Sequence, residues 1–245
     1  MSIAGRYAQG STETVLDRVM SSYASSIKGL IYGRLHRLDK PTRPPSGHAI
    51  LVAMRKTPDL SMNGILPFAA AEVEMLNDLC PSLRLKPIKP TLRKEDVLKH
   101  LHSCRIFHFA GHGRSDPMEP SQSCLLLEDW KTKPLTVGDL RDHKLQENPP
   151  FLGYLSACST GANEADRLAD EGIHLVSAFQ LAGFRHVVGT LWEVSDKHCV
   201  DVTRVLYETM RTGAMSELEE AIRMTEDAIN IVPKTSALGN QYRLS

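Results

Sequence analysis

Short apolar runs alternate with amphipathic stretches along most of this chain, and that alternation limits its fold more than any other feature. Ala49–Met54, Leu83–Ile88, Arg105–Ala110, Phe151–Ala157 and Val187–Leu191 have the length and composition of strands. Helical patterns separate them. One opens at Pro67 and runs to about Leu79, since proline suits the first helical position. Another is capped by Thr91 and runs to about Leu101. A third covers roughly Asp170–Ala182 and stops at Gly183. Two more start at Ser195 and Ser216, and Thr136-x-x-Asp139 has the form of a capping box on a short helix. The expected class is α/β: a mostly parallel central sheet, apolar on both faces, between two helical layers.

The chain divides once. Residues 39–47, DKPTRPPSG, hold three prolines and a glycine and read as a linker. Before it, Thr12 to about Arg37 forms an amphipathic helix whose stripe includes Val15, Leu16, Val19, Met20, Tyr23 and Ile27. A single helix cannot bury its own stripe, so this one is expected to pack on the following domain or on something missing from this chain. The expected organisation is an N-terminal helix and linker at 1–47 and one domain at 48–245.

Composition excludes several classes of function. Lys plus Arg and Asp plus Glu both number 29, so no basic excess points to nucleic acid or an anionic membrane. No apolar run approaches the roughly 20 residues of a membrane span. The start, MSIAGRYAQGSTE, lacks the basic and apolar regions of a secretory signal. The cysteines number 5, an odd count without a CxxC pair, which argues against a disulfide framework or a zinc knuckle. A reducing, cytoplasmic setting is expected. Without GxxxxGK[ST] or GxSxG, neither nucleotide hydrolysis nor a serine hydrolase is indicated, and no cofactor or metal is expected.

The chemistry gathers at two places. FHFAGHG (107–113) sets His112 between two glycines, just past the expected end of a strand at Ala110. FLGYLSACSTG (151–161) sets Cys158 just past the end of a second strand. If these strands are parallel neighbours, both side chains emerge at one edge, where ligands of such sheets sit. The spacing is near the roughly 50 residues between histidine and cysteine in caspase-type proteases. An imidazole beside a thiol raises the thiolate fraction and later protonates a leaving amine. Backbone N–H groups of Gly113 and Cys158 would serve the oxyanion, and Gly113 would leave room for the substrate. His108 and His112 lie four apart on a strand, about 13 Å, too far to share a metal ion. Cys80, Cys104, Cys124 and Cys199 read as structural thiols, and His174 and His186 as core or rim histidines.

The chain resembles the CHAT domains, relatives of caspases, separase and gingipain-like cysteine peptidases. The resemblance rests on HFAGHG (108–113), LSACSTG (155–161), the long stretch DEGIHLVSAFQLAGFRHVVGTLWEVSD (170–196) and the opening ETVLDRVMSSYASSI (13–27). It implies a caspase-like three-layer α/β/α fold and a His112–Cys158 dyad acting on a protein substrate as a cysteine endopeptidase. It also implies a place at the C-terminal end of a larger signalling or defence protein, with helical repeats or a nucleotide-binding module upstream. In several relatives the residue two before the cysteine lines the substrate pocket. Here it is Ser156, small and neutral, so a basic preference would come from Asp166, Asp170 and Glu171. Members commonly end with a strand bearing tryptophan and phenylalanine. This chain ends NIVPKTSALGNQYRLS, and that strand is expected to be absent or remade. The rival class is a catalytically silent scaffold that docks protein partners.

Overall fold

A computed structural model describes residues 47–60, 64–114, 116, 118–143, 145, 149–159, 171–189 and 196–212. The expected N-terminal helix, nearly all of the linker, the helix from Ser216, the C-terminal end, Asp166 and Asp170 lie outside these residues.

The elements come in the expected order. They are β1 (Gly47–Ala53), α1 (Ala69–Leu79), β2 (Leu85–Ile88), α2 (Lys94–Leu101), β3 (Cys104–Arg114), β4 (Cys124–Leu125), β5 (Leu135–Thr136), α3 (Val137–Asp142), β6 (Leu152–Ser159), α4 (Glu171–Ala182), β7 (His186–Gly189) and α5 (Asp196–Thr212). The sheet is seven-stranded and mostly parallel. β3 is central, between β1 and β6, with β2 outside β1 and β7 outside β6. β4 and β5 are short antiparallel additions beyond the end of β1.

Both faces of the sheet are covered, which is why β3 reads as a nearly unbroken apolar run. On one face Val52, Phe107, Phe109 and Leu155 meet Leu101 of α2, Leu140 of α3 and Phe179 of α4. On the other, Leu51, Ile106, Ala110 and Tyr154 meet Val73 and Leu76 of α1 and Leu206 and Tyr207 of α5. This is the three-layer α/β/α arrangement that the alternation implies.

Several boundaries depart from expectation. β3 does not end at Ala110 but runs through Gly111, His112 and Gly113 to Arg114. β1 stops at Ala53, and β4 continues the ladder: the Met54 N–H donates to the Ala110 carbonyl (2.7 Å) and the Leu126 N–H to the His112 carbonyl (2.9 Å). β6 likewise runs to Ser159, so Cys158 lies inside a strand rather than past its end. At α2, Arg93 rather than Thr91 takes the capping position. The Thr91 N–H and hydroxyl donate instead to the Asp96 carboxylate at 2.7 and 2.8 Å. α1 begins two residues after Pro67. The capping box at α3 is present: the Asp139 N–H donates to Thr136 Oγ1 (3.1 Å) and the Thr136 N–H to Asp139 Oδ2 (2.8 Å). The Gly183 stop is present too, at φ 118°, where a side chain would be strained.

Candidate active site

β3 and β6 are parallel neighbours, paired from Ile106 with Leu152 to Gly113 with Ser159. Within this ladder His112 pairs directly with Cys158. Adjacent strands lie about 4.8 Å apart, so the two backbones bring these positions side by side. His112 is buried, at 1 % exposure. Gly113 pairs with Ser159 on one edge and with Leu125 on the other.

The glycines beside His112 do not open a path as the sequence suggests. A Cβ on Gly113 would sit 2.6 Å from Leu175 Cδ1, and one on Gly111 would sit 2.5 Å from Phe109 Cζ. Both positions lack a side chain because neighbouring core residues already fill that space.

Beneath the pair is a buried polar junction that the motifs do not announce. Glu72 of α1 is 1 % exposed. Its Oε1 lies 2.9 Å from Nε2 of His108 on β3 and accepts from the Thr203 hydroxyl of α5 at 2.7 Å. Its Oε2 accepts from the Ser156 hydroxyl of β6 at 3.1 Å. His108 stacks on Tyr154, with centroids 4.8 Å apart, and its Nδ1 lies 3.3 Å from the Tyr207 hydroxyl. Burial pushes the Tyr154 and Tyr207 phenols well above their ordinary value, so both stay neutral. A small cavity is lined by Glu72, Ala110, Gly111, Ser156 and Cys199 among others. Ser156 lines this cavity and turns its hydroxyl onto the Glu72 carboxylate.

Of the other expected pocket residues, Glu171 is the first residue of α4. Cys80, Cys104, Cys124 and Cys199 are buried and form no disulfide. His186 packs edge-on against Phe151 at 5.0 Å. Among the described residues no helix is long and apolar enough to cross a membrane.

Glu72 was legible in one respect. It shares a helical stripe with Ala69, Val73 and Leu76, and a carboxylate on an apolar stripe demands buried partners. His108, inside an apolar strand, carries the same signal.

The family model for the CHAT domain matches residues 4–236. The chain belongs to the CHAT domain family. CHAT domains are caspase-like and peptidase-related, and the mostly parallel sheet flanked by helices agrees with that membership. A search of curated proteins finds no match to this CHAT domain.

Proposed function

We propose that this CHAT domain is a cysteine endopeptidase acting on a protein substrate, with Cys158 as nucleophile and His112 as general acid and base. The register pairing of His112 with Cys158 in adjacent parallel strands carries the reading. A simple thiol titrates near 8.5 and supplies little thiolate at neutral pH, and an adjacent imidazolium raises that supply. The thiolate attacks the peptide carbonyl, forming a C–S bond and an oxyanion. Collapse breaks the C–N bond while His112 gives its proton to the leaving amine. Water, losing a proton to His112, then hydrolyses the thioester and releases the thiol. The Gly113 and Cys158 N–H groups are assigned to the oxyanion, where one donor is typically worth a factor of about 100 to 1000. Any preference for a basic substrate residue is assigned to Asp166, Asp170 and Glu171, and activation to upstream domains of the same protein.

The test is incubation with a peptide library and candidate proteins, with cleavage sites read by mass spectrometry. Wild type should cut and Cys158→Ala should not. Cleavage that persists in Cys158→Ala overturns the reading.

A scaffold that only docks partners is the second reading, favoured by the burial of His112. It expects partner binding to survive both Cys158→Ala and His112→Ala, and Cys158 to react as an ordinary thiol.

A further inference from the structure

Glu72 draws together four elements of the fold. It stands on α1, touches His108 on β3, accepts from Ser156 on β6 and accepts from Thr203 on α5. Two of these contacts lead straight to the candidate site. Ser156 lies two residues before Cys158, and His108 lies four before His112, each on the same strand.

Stability alone does not account for a carboxylate here. Buried ionic groups can often be replaced by packed apolar residues at no loss, because their desolvation offsets their attraction. Removing one partner from such a group is strongly destabilising. The three contacts to this one carboxylate are met together at the observed relative position of the four elements. A slip of β6 along β3 by one residue would move Ser156 by about 3.3 Å. That would break its 3.1 Å bond to Glu72 and separate His112 from Cys158 together. At 7 % exposure or less for Glu72, His108, Ser156 and Thr203, water is poorly placed to replace the lost donor.

We propose that Glu72 is a positioning residue for the His112–Cys158 pair, acting through Ser156 on β6 and His108 on β3. The inference rests on the peptidase reading. It makes Ser156 part of the device that sets the dyad's geometry, and it ties that geometry to the docking of α1.

Ser156→Ala and Thr203→Ala separate positioning from simple structure. Each deletes one hydroxyl that donates to the same carboxylate, but only Ser156 lies on a strand carrying a member of the dyad. Both should lower the melting temperature. Ser156→Ala should also cut kcat about tenfold at unchanged KM, in keeping with the roughly hundredfold that a misplacement of 1 Å can cost. It should shift the pH profile of Cys158 alkylation toward that of a simple thiol, near pH 8.5. Ser156→Thr, which keeps the hydroxyl, should restore the profile if it folds. Thr203→Ala should leave the profile where it is in wild type. Equal profiles for Ser156→Ala and Thr203→Ala, with wild-type Cys158 activated, overturn the inference and leave the peptidase reading standing. Wild-type Cys158 that alkylates like a simple thiol overturns both.

Discussion

Leu175 of α4 occupies the space that a side chain on Gly113 would need, its Cδ1 2.6 Å from where a Cβ would stand. The glycine next to the candidate histidine is therefore fixed by packing of a helix on the sheet. Gly113→Ala should destabilise the protein by about 1–3 kcal/mol, the usual cost of overpacking a core. In a Leu175→Ala background the same substitution should be close to neutral. A double-mutant cycle measured by chemical denaturation should give a coupling of about 0.5–3 kcal/mol. An equal cost in both backgrounds would mean that the backbone, not Leu175, requires glycine.

The case of Gly113 shows what the sequence could and could not tell. The alternation of strands and helices was legible, because a strand buried on both faces must be apolar along its length. The Thr136–Asp139 box was legible, because its partners are three residues apart. The extension of β3 through His112 was not, because its ladder partners come from β4 and β6, distant in sequence. Glycines argue locally for a strand's end, and distant pairing overrides them. The adjacency of His112 and Cys158 followed once their strands were taken as parallel neighbours. The junction at Glu72 could be suspected from its apolar stripe, but its partners on three other elements could not.

Burial sorts the thiols. It pushes Cys80 up to about 11 and Cys104 up to about 12. Cys124 is also raised by burial, with Arg114 partly offsetting it. At pH 7 a thiol at 11 is ionised in roughly one molecule in ten thousand, and only thiolate reacts. Brief alkylation of the native protein at pH 7 should therefore spare Cys80, Cys104 and Cys124, and denaturation should expose all three. Peptide mapping by mass spectrometry reads this directly. Rapid native labelling of Cys104 would contradict its burial.

The capping box gives a pH-dependent signature. Burial alone would raise the Asp139 carboxyl, but Lys94, 2.7 Å away, and the Thr136 hydroxyl and N–H outweigh it and hold it below its ordinary value. A depressed folded-state value contributes stability above the unfolded value, lost as pH falls through the folded one. Asp139→Asn should thus be less stable than wild type at pH 7. Its deficit should shrink as pH drops below about 4, where the unfolded carboxylate gains its proton. Thr136→Val should cost about 1 kcal/mol at neutral pH through loss of the cap. Denaturation of the three proteins across about pH 2.5–7 would measure both effects. A deficit for Asp139→Asn that stays constant to the acid end would show that its charge does not matter.

The dyad itself makes the sharpest demand, because two groups acting as one unit are lost together. His112→Ala, Cys158→Ala and the double variant should reduce turnover to nearly the same residual level, rather than by the product of the two single losses. Labelling distinguishes what turnover cannot. Cys158→Ala removes the labelled site, whereas His112→Ala keeps the thiol and removes the imidazole that stabilises its ionised form. In His112→Ala the midpoint of Cys158 labelling should therefore rise toward about 8.5 from a lower wild-type value. His112 is buried, so a cavity follows its removal, and His112→Gln provides a bulkier control that also lacks the imidazole. If His112→Ala unfolds, the Gln variant must show the same shift. A labelling midpoint that is identical in wild type, His112→Ala and His112→Gln would mean that register pairing has not produced chemical pairing, and the scaffold reading would take its place.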